Sequence, residues 1–264
     1  MRKIFILGSA LAVSLAMLLA SCQNDKENNN DSNNGNQEYP STADVLPNAV
    51  TDIDGNSYDA VRIGEQVWMA ENLRTTRYAN GTAIGLGNDF STTTAYLYYP
   101  NDDSSNVATY GYLYNWAAVM HWASSSTANP SGVQGVCPNG WHVPSDAEWT
   151  QLTDYMRTQP GYMASGNADH LAKALAATWG WNSSDEPDAP GNDPSANNAT
   201  GFSALPAGYY SGGYNGFGYG ALFWNATEGD GASACNRPLY YDYAGVNRSY
   251  DGKDHGLSVR CLRD

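Results

Sequence analysis

Histidines, cysteines and carboxylates are the side chains in this chain whose types and spacing could do chemistry. The four histidines stand at positions 121, 142, 170 and 255. None forms a His-x-His or His-x-x-x-His pair, so the sequence offers no closed zinc site. No Gly-x-Ser-x-Gly elbow marks an acyl-transfer serine. Asp146 and Glu148 lie close enough in sequence to serve as an acid/base pair. They also follow Pro144-Ser145, and Ser145 with Glu148 forms a capping box whose carboxylates suit the positive end of a helix dipole. The helix reading explains both carboxylates without catalysis. Asp52-x-Asp54-x-Asn56 offers hard oxygens for calcium, but the later glycine and glutamate of an EF-hand loop are absent. Asp54-Gly55-Asn56 between β-prone flanks reads instead as a hairpin turn. Tyr209, Tyr210, Tyr214, Tyr219, Tyr240, Tyr241 and Tyr243 crowd the last third of the chain, with Trp224 among them. Aromatic faces stack on ligand rings and enrich interfaces. The plainer reading is strand side chains in an ordinary sheet.

Local elements must position these groups. Residues 60–68 read as a second hairpin that turns at Gly64-Glu65. The spacing of Leu113, Trp116, Ala117 and Met120 predicts a short buried helix over 110–120. Its apolar stripe reads as core rather than as a cofactor box. A helix from the Ser145 cap buries Trp149, Leu152 and Met156 and ends at Gln159-Pro160-Gly161. Another spans 167–178, with Leu171, Ala174, Leu175 and Thr178 inward. Residues 182–200 form a long acidic loop rich in Pro, Asn and Ser. Short strands separated by Gly-rich turns fill the rest. No internal period is visible, so the folded part is one domain, over 46–264.

The chain has 264 residues, with 27 acidic and 13 basic side chains, a net charge of −14. Without a basic stripe it is a poor partner for nucleic acid. Its 12% aromatic content argues against wholesale disorder. Arg2 and Lys3 precede an apolar run, Ile4 to Leu19, which reads as a secretory signal over 1–21. The run ends Leu19-Ala20-Ser21-Cys22, which looks like a bacterial lipobox, with Cys22 acylated (palmitate among its chains) and made the first residue. Acyl chains would hold the protein at a membrane without a spanning segment. Cleavage there leaves 11 basic and 27 acidic side chains, a net −16. Gln23 in the second mature position, rather than aspartate, favours the outer membrane. Residues 22–45 are almost free of apolar side chains and read as a disordered, acidic and Asn-rich tether. Its Asp25, Glu27 and Asp31 fit a plain spacer or a surface-export signal.

Several segments together resemble a known family. They are Thr51-Asp-Ile-Asp-Gly-Asn56, Gln66-Val-Trp-Met-Ala-Glu-Asn-Leu73, Leu113-Tyr-Asn-Trp-Ala-Ala-Val-Met120, Cys137-Pro-Asn-Gly-Trp-His-Val-Pro-Ser145, Gly201-Phe-Ser-Ala-Leu-Pro-Ala-Gly208 and Leu257-Ser-Val-Arg-Cys-Leu-Arg-Asp264. The resemblance is to the Fibrobacter succinogenes major paralogous domain, found in lipoproteins of the Bacteroidetes/Fibrobacteres group. More distantly, Trp141 to Trp149 and Ser258 to Asp264 are similar to the formylglycine-generating, sulfatase-modifying group. That likeness implies an α+β, C-type-lectin-like fold: irregular antiparallel strands, two or three helices, long loops, and chain ends that meet in one sheet.

The oxidase in that group uses a closely spaced pair of late cysteines for copper. Cys235 and Cys261 are too far apart to match it, so the activity does not carry over. In the major-domain family the recurrent cysteines are those of Cys-Pro-x-Gly-Trp and Val-Arg-Cys, which implies a Cys137–Cys261 disulfide. Cys235–Cys261 is the competing pair. Sugar-binding C-type lectins hold calcium through a Glu-Pro-Asn type triplet and a later Trp-Asn. Glu186-Pro187-Asp188 and Trp224-Asn225 are the matching positions here, against the reading of a solvated acidic loop. The expectation is a lipid-anchored outer-membrane protein at the cell surface, without catalysis, metal or obligate cofactor. Tyr209, Tyr214, Tyr219 and Trp224, with Glu186 and Asp188, would meet a glycan or a surface protein. The alternatives are a diverged enzyme of the formylglycine-generating group and a purely structural envelope component.

Overall fold

The computed structural model describes residues 43–264. The predicted signal segment, Cys22 and all but the end of the predicted tether lie outside them. Strand β1 (Asp44–Thr51) begins two residues before the expected domain boundary. It pairs antiparallel with β2 (Ser57–Ile63), which turns into β3 (Gln66–Met69). The first turn is the one predicted. Asp52 Oδ1 accepts from the amides of Asp54 and Asn56, both at 2.9 Å, and Gly55 takes φ +86°. The Asp52 carboxylate thus closes an Asx turn, and Asp54 accepts from the Thr76 amide and from Arg77 Nε at 2.6 Å, which ties the turn to the next segment; both carboxylates serve the turn rather than a calcium loop. The second turn is Gly64-Glu65, as expected, with Ile63 opposite Gln66.

Strand β4 (Gly85–Leu86) lies parallel to β5 (Tyr96–Tyr98). One helical turn, α1 (Val107–Tyr110), precedes β6 (Leu113–Tyr114), which pairs antiparallel with β5. Helix α2 follows over Trp116–Met120. The helix predicted over 110–120 is therefore broken. Gly111 sits at φ +71°, and a Cβ there would lie 2.6 Å from the Leu73 carbonyl, so the chain passes too close to Leu73 to stay helical. Asn115 restarts it by accepting from the Ala118 amide. Leu113, Trp116 and Met120 are buried as expected, while Ala117 is only half-buried.

Strand β7 (Trp141–His142) leads into α3 (Asp146–Arg157), the one helix longer than five residues among those described. The helix predicted over 167–178 shrinks to α4 (Ala172–Leu175), and Thr178 is exposed. The returning segment 198–204 captures the carbonyls that would propagate it. Asn198 donates to Lys173, Thr200 to Ala174, and Ala204 to Leu175. A tight hairpin, β8 (Tyr209–Tyr210) and β9 (Tyr214–Asn215), precedes the antiparallel trio β10 (Gly220–Glu228), β11 (Ser233–Tyr240) and β12 (Ser249–Gly252). Last comes β13 (Leu262–Arg263).

The main sheet has the order β1-β2-β3-β13-β7, so β1 and β13 share one sheet. It is covered on both faces, and the strand period of two sorts the side chains. Tyr58, Ala60, Val67 and Met69 face one core with α2, whereas Val61, Ile63 and Trp68 face the other with Trp149, Leu152 and Met156 of α3. Strand β10 alternates in the same way, with Leu222 and Trp224 in the first core and Ala221 and Phe223 in the second. The run from Leu257 to Arg263 is the seam between these parts. It bonds to Tyr114, to Leu222 and Trp224, and to Met69 and Leu73. Fully buried Arg260 donates to Asn72 Oδ1 and to the carbonyls of Met69, Phe202 and Ser203. The architecture is α+β, mostly antiparallel, with short helices and long connections.

Candidate functional site

The stretch from Trp141 to Trp149 gathers most of the chemistry-bearing groups. Ser145 Oγ accepts from the Glu148 amide at 3.2 Å, and Glu148 Oε2 accepts from the Ser145 amide at 2.8 Å, which completes the predicted capping box. Glu148 Oε2 also takes the Ser131 amide. Its other oxygen meets His142 Nε2 at 2.8 Å, and His142 Nδ1 meets Asp264 Oδ1 at 2.7 Å. Burial pushes the His142 pKa down, but the bonds to Glu148 and Asp264 outweigh it and raise the value above that of a free imidazole. An imidazolium donating through both nitrogens has no lone pair left to take a proton from a substrate. The trio is a hydrogen-bonded clasp joining β7, α3 and the residue after β13. A cavity of about 350 Å³ lies beside it, lined in part by Gln134, Asn139 and Trp141.

Asp146, the other carboxylate of the helix start, is equally occupied. Its Oδ1 lies 2.7 Å from Arg237 and its Oδ2 2.8 Å from Arg248. The Cys235 thiol donates to Oδ1 at 3.2 Å. Burial pushes that thiol up to about 11, so it stays protonated and weakly nucleophilic at neutral pH. Cys235 is the free cysteine, whereas Cys137 and Cys261 form a disulfide with Cα atoms 5.9 Å apart. The pairing implied by the resemblance is the one found, and the competing pair is not. The sequence reading missed the contacts from His142 to Glu148 and Asp264, and from Asp146 to its two arginines. Nothing in residue spacing marks bonds between groups 91 and 122 positions apart.

Of the expected ligand-facing aromatics, Trp224 must be corrected. It is fully buried in the first core and donates its indole N–H to the Tyr114 carbonyl at 2.8 Å, so it cannot meet a ligand. Tyr209 is half-buried, and its ring packs against Gly216 in the hairpin. Tyr219 is exposed and pairs edge-on with Tyr241. Tyr214 belongs to a real cluster. Tyr210 stacks on Tyr98 with centroids 4.0 Å apart, and Tyr214 meets Tyr210 edge-on at 5.2 Å. Burial and the Asp102 carboxylate push the Tyr214 hydroxyl up to about 12. Phe90, 47% exposed, lies 6.0 Å from Tyr210. Its ring covers Gly212 at the hairpin tip, where a Cβ would come within 2.5 Å. Half-buried Tyr96 and Phe217 pack on the same cluster. Phe90 and Tyr96 were not picked out from sequence. Phe90 is a lone aromatic among small polar residues, and that contrast was the available signal.

The lectin-type calcium positions do not share one setting. Glu186 is exposed. Asp188 accepts from Ser165 at 2.8 Å and bonds His170 Nδ1 at 2.9 Å, and the His170 bond holds its carboxyl below the usual range. Asn225 is fully buried and accepts from the Thr227 amide. The acidic loop already holds a cation of its own. The Lys173 ammonium donates to the carbonyls of Ala189, Asn192 and Asp193. Among the described residues, no group of three or more His, Cys, Asp or Glu is placed to hold a metal ion. Nor, among them, is any helix long and apolar enough to cross a membrane.

No curated protein and no solved structure matches the chain. One family model does. It covers residues 61–263, from β2 through the His142 clasp and the aromatic hairpin to β13. On that match, the chain belongs to the Fibrobacter succinogenes major domain family.

Proposed function

We propose that the protein is a non-catalytic binding module, moored to the outer membrane by acyl chains on Cys22, which presents an aromatic face to a glycan or protein at the cell surface. The observation that carries the reading is the cluster of Phe90, Tyr96 and Tyr214 around the β8–β9 hairpin. Such rings offer large contact area at low entropic cost, and Tyr adds a hydroxyl for a polar ligand. The ion-paired state of Asp146, Glu148 and His142 supports a module without turnover, because each group is spent on another side chain. Family membership supports an envelope or surface setting. A sheet shared by β1 and β13 is what a C-type-lectin-like fold would require.

Radiolabelled palmitate should enter the wild-type chain and not Cys22→Ala. In a glycan array and a surface-protein pull-down, the wild type should retain a ligand that both Phe90→Ala and Tyr214→Ala release. A ligand retained equally by both variants would remove the aromatic face from the account.

A further inference from the structure

A groove that shares no residue with the aromatic face runs along α3. It encloses about 600 Å³, within the ordinary range for a small-molecule site. The exposed edge of α3 forms one wall and the β2–β3 turn the other. Ile63 lies in its wall, with Asn129, Gln151, Tyr155, Glu65 and Asp154 supplying ring and polar groups. We propose that this groove is a second binding site, selective for neutral oligosaccharides.

Three features point to that ligand class. The Tyr155 ring lies flat against Gly64, since a Cβ there would come 2.9–3.1 Å from three of its ring carbons. One ring face is thereby seated on backbone, and the half-buried ring can offer the other to the apolar face of a pyranose. Second, Asn129 Nδ2 donates to Gln151 Oε1 at 2.7 Å. That bond fixes both amides and leaves the Gln151 donor and the Asn129 acceptor for ligand hydroxyls. Third, Glu65 and Asp154 can accept hydrogen bonds from hydroxyls, no Lys or Arg lines the groove, and its one nearby cation, Arg157, is held by Asp154 at 2.8 Å, so the exposed Glu65 carboxylate is what repels anions. In a chain of net charge −14, uronates, sulfates and phosphates are disfavoured there while uncharged polyols are not.

The test is titration calorimetry on the full chain in a sugar-free detergent. The probes are gluco-, manno- and xylo-configured neutral hexasaccharides, with an oligogalacturonate as the anionic control. At least one neutral probe should bind and the anionic one should not. Tyr155→Ala and Gln151→Ala should each weaken binding about tenfold. Gln151 is a surface residue, so its variant reads the site even where loss of the Tyr155 ring loosens α3. Absence of binding by every neutral probe overturns the proposal. So does binding indifferent to both groove variants, or preference for oligogalacturonate. Binding lost only in Tyr214→Ala overturns it too, while leaving the aromatic-face reading standing.

Discussion

An imidazole enclosed by two carboxylates couples the protein's stability to pH. The His142 pKa is raised above its ordinary value by Glu148 and Asp264, against the opposing effect of burial. The stabilisation is therefore complete below the unfolded value of about 6.5 and is lost as pH rises through the folded one. His255 is raised as well, chiefly by the Asp251 carboxylate 3.5 Å from its Nδ1, so the raw profile mixes two groups. The comparison of wild type with His142→Gln isolates the first. Melting temperatures from about pH 5 to about pH 9 should show a smaller alkaline decline in the variant. Parallel profiles would mean that the clasp is uncharged throughout. Cys235 gives a second residue-level prediction. A fully buried thiol raised to about 11 should resist iodoacetamide in the native chain. Peptide mapping should find its adduct only after unfolding.

Helix α3 shows what a local signal can deliver. Cap, dipole charges and apolar face all lie within one stretch, and all were readable in the sequence. Ser145→Ala removes the acceptor of the Glu148 amide and should cost about 1–2 kcal/mol in urea unfolding. An unchanged midpoint would assign the cap's work to the His142 clasp. The two hairpin turns, at Asp54-Gly55-Asn56 and Gly64-Glu65, were legible for the same reason. Helix α4 was not, because the segment that captures its carbonyls is some twenty-five residues away and carries no helical signature. Strand β10 misled in another way. It is buried on both faces, so its sequence lacks the alternation that would have placed Trp224 inside. The tyrosines correctly marked an aromatic region, but spacing could not say which rings reach the surface. Phe90 lies over a glycine hairpin tip, Gly212, far along the chain, where a side chain would collide with its ring.

At the scale of the molecule, the late segment decides whether these elements form one body. Residues 257–263 run between β3, β6, β7 and β10 and hydrogen-bond to all four. Two devices hold the segment in place. Arg260 is satisfied by four acceptors from two separate stretches of chain, 69–72 and 202–203. The Cys137–Cys261 disulfide closes a separation of 124 residues, and both cysteines are fully buried. On the chain-entropy account a loop of this size is worth roughly 4–5 kcal/mol, a large part of a typical domain's net stability. Cys137→Ala/Cys261→Ala should therefore shift the urea midpoint strongly downward and release amide protection along β13 before that of α3. Cys235→Ala, which touches no bridge, should leave the β13 protection intact. If the double variant kept its midpoint and β13 exchanged no faster, Arg260 and the His142 clasp would be holding the seam, and the disulfide would be dispensable to the fold.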